Sequence, residues 1–228
     1  MPAPLPFPQT IAGVVYDFDG TLADSFAPIR HSFNHMLRHF GNVRELTAEQ
    51  SLALVGGPLE ESVSRLLPPE HVAEGTAVFR SHYATLYLEQ THPMPGAGTL
   101  LGRIARSGLG QSVVTNKLGT SARELIAHFG WEGLLPFCLG EGDGYPLKPR
   151  PEMILAAAAR MGVPTRDILF VGDSPFDFLA ARAAGVRVCL LTTGTHSREE
   201  LSALSPDLLF DGLDELGQWF FRESDRVR

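Results

Sequence analysis

The chain has 228 residues, a formal net charge of −7 and 44% hydrophobic residues, which is the composition of an ordinary globular protein. This net negative charge argues against general binding to nucleic acids or to anionic membrane surfaces. No run of apolar residues is long enough to cross a bilayer. The length accommodates one domain of moderate size, or a core with an inserted module.

The N-terminus and the cysteines predict a cytoplasmic protein. Residues 1–8 read Met-Pro-Ala-Pro-Leu-Pro-Phe-Pro, a proline-rich tail that lacks the basic residues of a secretory signal. Cys138 and Cys189 each lie among apolar residues, so we expect buried, reduced thiols and no disulfide framework.

The first predicted element is a strand over residues 11–17. Its almost unbroken apolar run is typical of a strand covered on both faces in a parallel sheet. The run ends in two carboxylates, Asp17 and Asp19, followed at once by Gly20 and Thr21. Ligands bind beyond the carboxyl ends of such strands, so the acidic pair predicts a reactive site. An ordinary turn is the alternative, because Asp and Gly favour turns.

Residues 22–93 predict helices and no strand. Ser25 can cap the first helix, and the segment from Thr47 to Gln50 is a capping-box pattern that opens a second one. A short helix over 59–67 ends at a Pro-Pro pair, and a long helix over 70–91 follows.

Beyond Gly96, helices and strands alternate, which predicts βαβ units and a parallel sheet. We expect helices over 97–107, 120–129, 151–161, 175–184, 197–204 and 213–221, and strands over 109–115, 135–139, 167–172, 186–191 and 208–210. The first strand must join this sheet to pair its backbone groups. The predicted fold is α/β: a Rossmann-like core of residues 1–21 and 94–228, with residues 22–93 inserted as an all-helical cap domain.

Four polar segments stand at or just beyond the predicted strand ends, and sheet geometry brings such ends together. They are Asp17–Thr21, Thr115–Lys117, Leu147–Pro151 and Val171–Asp177. Two of them hold the only lysines of a chain that has 17 arginines. A compact ammonium suits phosphate as a point charge. Oxygen ligands with open positions suit Mg²⁺, and no Cys/His cluster suggests zinc.

In the same chain order, these four segments resemble the four motifs of the haloacid dehalogenase-like hydrolase superfamily. The helical insert resembles its C1 cap, so the likeness covers the chain after the first ten residues. Three shorter stretches resemble phosphoglycolate phosphatases within that superfamily: Thr115-Asn116-Lys117, Gly57-Pro58-Leu59-Glu60 and Lys148-Pro149-Arg150-Pro151.

The resemblance implies catalytic roles for four residues. Asp17 would be the nucleophile that forms an aspartyl-phosphate, and Asp19 would protonate the leaving oxygen and then activate water. Thr115 would hydrogen-bond the phosphoryl oxygens, and Lys148 would offset negative charge.

The resemblance also implies a Mg²⁺ site. Asp17, Asp173 and the backbone carbonyl of Asp19 would bind the ion, while Asp177 would hold metal-bound water or orient Lys148. The alternative for Asp173 and Asp177 is capping of the helix that follows.

Candidate substrate-binding residues are Asn116, Gly20, Thr21, Arg65 and Arg80. The two arginines, with the turn from Gly56 to Glu60, could contact the non-reacting part of the substrate, although they could equally be ordinary surface residues. His31, His35 and His39 share one helical face, as a polar stripe or, less simply, a metal site.

The predicted function is Mg²⁺-dependent hydrolysis of a phosphomonoester of a small metabolite, phosphoglycolate-like, by a monomer or homodimer. A phosphomutase, nucleotidase or pyrophosphatase of the same superfamily is the alternative. A haloacid dehalogenase is disfavoured by Asp19, and phosphonate cleavage through a cap lysine by the absence of lysine from residues 22–93. A non-catalytic regulator would be expected to have damaged motifs, and none is damaged here.

Overall fold

The computed structural model describes residues 10–222, so the predicted N-terminal tail lies outside the described residues. The strands are β1 (Gly13–Tyr16), β2 (Ala23–Asp24), β3 (His92–Pro93), β4 (Gly110–Leu118), β5 (Cys138–Glu141), β6 (Ile168–Gly172), β7 (Arg187–Leu191) and β8 (Leu208–Phe210). The helices are α1 (Phe26–His39), α2 (Ala48–Leu52), α3 (Leu59–Ser64), α4 (Val72–Tyr83), α5 (Tyr87–Gln90), α6 (Ala97–Arg106), α7 (Gly119–His128), α8 (Glu152–Met161), α9 (Pro175–Ala184), α10 (Arg198–Ala203) and α11 (Leu213–Arg222).

Six strands form one parallel sheet in the order β5-β4-β1-β6-β7-β8. β1 lies between β4 and β6, with Val15 opposite both Ser112 and Phe170. The strands are all parallel, so their carboxyl ends share one edge of the sheet, where ligands bind in such folds. The predicted α/β fold with a parallel sheet is confirmed.

Both faces of the sheet are covered, which explains the apolar run of β1. Val14 and Tyr16 pack into the hydrophobic cluster that includes α6, α7 and the inserted helices. Val15 points to the other face, where α8 and α9 pack. A strand buried on both sides has no position for polar residues, so its sequence does not alternate.

Two helix starts follow the expected capping chemistry. Thr47 accepts a hydrogen bond from the backbone N–H of Gln50, whose side chain accepts from the backbone N–H of Thr47, and this capping box begins α2. Ser174 and Asp177 make the same reciprocal pair at the start of α9. Ser25 differs, because it precedes α1 but its hydroxyl donates to Asp19 instead of capping the helix.

The prediction that residues 22–93 contain no strand was wrong. β2 and β3 pair as a two-stranded antiparallel ribbon at the two ends of the insert, with Ala23 opposite Pro93 and Asp24 opposite His92. Each strand has only two residues, too few for a periodic pattern. Their pairing depends on bringing together segments far apart in the chain.

The long helix predicted over 70–91 was also wrong. A 3₁₀ turn at Pro69–His71 precedes α4, and a turn at residues 84–86 separates α4 from α5. In that turn the hydroxyl of Thr85 donates to the carbonyl of His82, which competes with continued helical hydrogen bonding. The helix predicted over 59–67 ends earlier, at Ser64.

The inserted helices pack on one another beside the carboxyl edge of the sheet. α1 contacts α4, where the rings of Phe33 and Phe79 lie 4.6 Å apart. No helix within residues 10–222 combines the length and apolarity needed to cross a membrane.

Candidate active site

Five of the predicted site residues gather at the carboxyl edge of the sheet. Asp17 and Asp19 follow β1, Thr115 lies near the end of β4, and Asp173 follows β6. Lys148 comes from the loop before α8. The sequence prediction that these strand ends meet is therefore correct.

Three buried carboxylates surround one buried ammonium. Nζ of Lys148 donates a hydrogen bond to Oδ1 of Asp177 at 2.6 Å and lies 2.8 Å from Oδ1 of Asp17 as an ion pair. Carboxylate oxygens of Asp17, Asp173 and Asp177 lie within 4.8 Å of one another. One positive charge thus faces three acids, all of which are buried.

This crowding changes the pKa values of the site. Burial, and then the negative charge of Asp177, raise the pKa of Asp17 to about 7, although Lys148 opposes the rise. Burial, Asp177 and Asp17 raise the pKa of Asp173 well above its usual range. Burial alone would lower the pKa of Lys148, but Asp17 and Asp177 hold it above its usual value. Asp17 and Asp173 therefore ionise less readily than ordinary carboxyl groups, and a further cation would favour their ionised forms.

The residues present fit a divalent cation. Oδ1 of Asp17 is fully buried and accepts no hydrogen bond of regular geometry among the described residues. Carboxylate oxygens are the ligands that Mg²⁺ prefers, and the ion would offset the excess negative charge. Asp17 and Asp173 are better placed to bind it than Asp177, whose oxygens already accept from Lys148, Ser174 and the backbone N–H of Asp173.

Gly20 and Thr21 contact the acidic cluster and do not line the adjacent cavity. Oγ1 of Thr21 donates to Oδ1 of Asp173 at 2.9 Å. A Cβ atom would lie 2.7 Å from Oδ2 of Asp173 at Gly20 and only 1.7 Å from it at Gly194. Gly194 was not predicted, because a glycine in a loop after a strand carries no signal of what packs against it.

Lys117 was noticed for its rarity, but its role was not predicted. Its Nζ donates to both carboxylate oxygens of Asp19, at 2.9 and 3.2 Å, and to the hydroxyl of Tyr83 in α4. Burial alone would lower the pKa of Lys117, but Asp19 and Tyr83 hold it above its usual value, so the side chain stays an ammonium. Asp19 also accepts a hydrogen bond from the hydroxyl of Ser25, and it is not one of the three clustered acids.

Thr115, Asn116 and Lys117 all lie in β4, which extends to Leu118 and not to the predicted end at 115. Its register with β5 shifts between Val114 and Leu118. The amide group of Asn116 donates to the carbonyls of Gly56 and Lys148 and accepts from the backbone N–H of Lys148. Asn116 thus holds the Lys148 loop, and its contact with substrate stays a prediction.

A cavity opens above Asp17, between the sheet edge and the inserted helices. Thr115 and Asn116 line its floor, and Arg80 lines the side that α4 provides. Arg80 makes an ion pair with Glu141 at 2.5 Å. Arg65 lies elsewhere: it donates to the carbonyl of Ala53 and does not line the cavity.

The three histidines of α1 contact separate partners. His31 pairs with Gln90, His35 stacks on His82 with ring centres 4.1 Å apart, and His39 contacts Glu74. Within residues 10–222, the group able to hold a metal is the aspartate cluster, which favours the polar-stripe interpretation of these histidines.

Comparisons with known proteins agree with this geometry. A family model described as haloacid dehalogenase-like hydrolase matches residues 14–191. A phosphoglycolate phosphatase of Rhodospirillum rubrum is 31% identical over 230 residues, covering 90% of this chain and 89% of the relative. One from Salmonella typhi is 28% identical, covering 91% and 92%. The structure of a haloacid dehalogenase-like family hydrolase from Streptococcus pneumoniae superposes with a TM-score of 0.86 at 23% identity, covering 93% and 100%.

Proposed function

The chain belongs to the haloacid dehalogenase-like hydrolases, and from this we propose that it is a Mg²⁺-dependent phosphatase that hydrolyses monoesters of small metabolites through an aspartyl-phosphate on Asp17. The observation that supports this most directly is the set of three buried carboxylates around Lys148 beneath a cavity. Relatives called phosphoglycolate phosphatase support the reaction class and offer one candidate substrate.

In the first step, a carboxylate oxygen of Asp17 attacks phosphorus and the bond from phosphorus to the ester oxygen breaks. For this step Asp19 must hold a proton and be released from Lys117, which contacts both of its oxygens in this structure. Asp19 donates that proton to the departing oxygen, so an alcohol leaves and Asp19 becomes a carboxylate. In the second step, Asp19 takes a proton from water, whose oxygen attacks phosphorus. Asp17 is released as a carboxylate, together with inorganic phosphate.

The surrounding side chains bind and orient. Lys148 offsets negative charge on Asp17, and Asp177 fixes the ammonium by its 2.6 Å hydrogen bond. Thr115 lines the cavity near Asp17, where its hydroxyl can donate to a phosphoryl oxygen. When bound by Asp17, Asp173 and the backbone carbonyl of Asp19, Mg²⁺ supplies charge neutralisation for the anionic substrate and nucleophile.

Residues 22–93 act as a cap in this proposal. Their helices form one wall of the cavity, so they exclude water and contact the leaving group. The two thiols also agree with the predicted cytoplasmic location, because Cys138 and Cys189 are buried and unpaired.

The test is phosphate release from p-nitrophenyl phosphate and a panel of metabolite phosphates, with Mg²⁺ or with EDTA. We expect activity that EDTA abolishes, and a loss of at least about a thousandfold in Asp17→Asn, because the nucleophile is gone. Glu132→Gln, which changes an exposed carboxylate in the same way, is the matched control.

Acid quenching during turnover should trap phosphate on the wild-type protein in a hydroxylamine-sensitive form. Normal turnover by Asp17→Asn would refute the proposed nucleophile. Turnover that is indifferent to EDTA would refute the Mg²⁺ requirement.

A further inference from the structure

Resting on the proposed phosphatase activity, we propose that the enzyme prefers phosphate monoesters with an uncharged, largely apolar leaving group over esters that carry a second anion, and that Glu141 sets this preference. The residues that set this preference line the part of the cavity beyond Asp17 and Thr115, where the leaving group must lie.

The wall of the cavity beyond the reacting carboxylates is mostly apolar. The inserted helices and their loops contribute most of it, and the core contributes the remainder. The apolar side chains that define this wall include Phe33, Leu54, Val55, Leu59, Phe79 and Leu118. A hydrocarbon group buried there gains by leaving water, whereas a carboxylate placed against these apolar side chains would lose hydration.

Each cationic side chain that lines the cavity is already paired with an acid of the same chain. Lys117 contacts both oxygens of Asp19, and Arg80 contacts Glu141. Among the described residues of the lining, two cations face three carboxylates, since Asp17 is also there. Nε of Arg80 is buried and has no hydrogen-bond partner among the described residues, but a carboxylate that reached it would lie close to Glu141 as a like charge. At Lys117, a carboxylate would have to displace Asp19.

The position of Glu141 at the end of a sheet strand places it in the cavity lining. It ends β5, and the irregular pairing of β5 with β4 sets Glu141 opposite Leu118, another lining residue. Arg80 approaches from α4 in the insert, so the ion pair joins insert and core across the cavity. If the carboxylate of Glu141 were removed by substitution, Arg80 would be free to bind an anionic leaving group. Glu141 therefore acts as a specificity residue that neutralises Arg80.

The test compares two esters of equal length, butyl phosphate and 4-phosphooxybutyrate. The carboxylate of the second is three methylene groups from the ester oxygen, so the two leaving alcohols have similar acidity. The wild-type protein should show at least about a tenfold higher kcat/KM for butyl phosphate. 2-Phosphoglycolate should likewise be a poorer substrate than butyl phosphate.

Glu141→Gln should lower the ratio of the two kcat/KM values at least about tenfold, by raising kcat/KM for the carboxylate ester. Leu59→Gln should lower the same ratio through a loss on butyl phosphate. Glu132→Gln, remote from the cavity, should leave the ratio unchanged, and thermal melts should establish that every variant is folded.

Two results would overturn the inference while leaving the phosphatase proposal intact. One is a wild-type protein that prefers either carboxylate ester to butyl phosphate. The other is a folded Glu141→Gln variant whose ratio of kcat/KM values for the two esters equals that of the wild type. Failure to hydrolyse any ester, p-nitrophenyl phosphate included, would overturn both.

Discussion

Replacing Asp17 with asparagine should abolish turnover and yet stabilise the metal-free protein at neutral pH. The wild-type protein must ionise a buried carboxyl group beside two other acids, whereas asparagine occupies nearly the same volume without a charge. Lys148 keeps its hydrogen bond to Asp177 in the variant, so its ammonium stays paired.

The magnitude follows from the pKa of Asp17, which rises from 3.8 to about 7 in the folded protein. Below pH 4 the carboxyl group of Asp17 is protonated in both the folded and the unfolded state, so it does not lower the free energy of unfolding. Between pH 4 and 7 the unfolded chain releases this proton while the folded protein retains it, so the free energy of unfolding falls as the pH rises. Above pH 7 the loss is complete, at about 4 kcal/mol.

Urea unfolding in EDTA at several pH values between 4.5 and 8 measures this difference. The free energy of unfolding of Asp17→Asn should exceed that of wild type by an amount that grows with pH, reaching about 4 kcal/mol at pH 8. The corresponding rise in Tm is about 10 °C for a chain of this length. Glu132→Gln, which removes an exposed carboxylate, should show no such pH-dependent gain.

A variant that is less stable than wild type at pH 8, or a difference that does not change with pH, would refute the reasoning. Either result would mean that the folded protein compensates the ionised carboxyl of Asp17 without a metal ion.

Three further predictions concern the same cluster. Mg²⁺ should raise the Tm of wild type more at pH 8 than at pH 5.5, because the carboxylates must ionise to bind it; equal shifts would contradict this. Lys148→Met should lower the free energy of unfolding by about 3–5 kcal/mol in urea titrations, since three buried acids lose their ammonium, and wild-type stability would argue against the charge arrangement described. Gly194→Ala should weaken Mg²⁺ binding at least about tenfold in metal titrations, because its Cβ would lie 1.7 Å from Oδ2 of Asp173. Gly133→Ala, where a Cβ meets nothing within 4 Å, is the control and should bind Mg²⁺ as wild type does.

The parallel sheet could be predicted because its signals are local. The apolar runs of β1 and β6 mark strands covered on both faces, and the helix that begins at Pro175 carries its own capping residues in Ser174 and Asp177. The pairing of β2 with β3 could not be predicted, because two residues form no pattern. The break after Tyr83 was not predicted, because the sequence there suits a helix and the turn is marked only by local hydrogen bonds such as that of the Thr85 hydroxyl.

The site was predictable to the extent that its residues lie at strand ends. The proximity of Asp17 and Asp173 follows from their places after the neighbouring strands β1 and β6, whereas Lys148 reaches them from the loop between β5 and α8. The contact between Lys117 and Asp19 was not foreseen, although the scarcity of lysine pointed to both lysines. Glu141 was missed because its entry into the cavity depends on an irregular strand register that no local pattern reveals.

The ribbon of β2 and β3 restricts how the inserted helices can move. The chain enters and leaves the insert through two adjacent connections, and the backbone N–H of Met94 donates to the carbonyl of Leu22 across them. Rotation about a single backbone bond cannot move the insert, because both connections must change conformation together. Asp19 forms a backbone bridge with Ala23 at the start of the first connection. We therefore expect any opening of the cavity to shift the position of Asp19, the proposed proton donor.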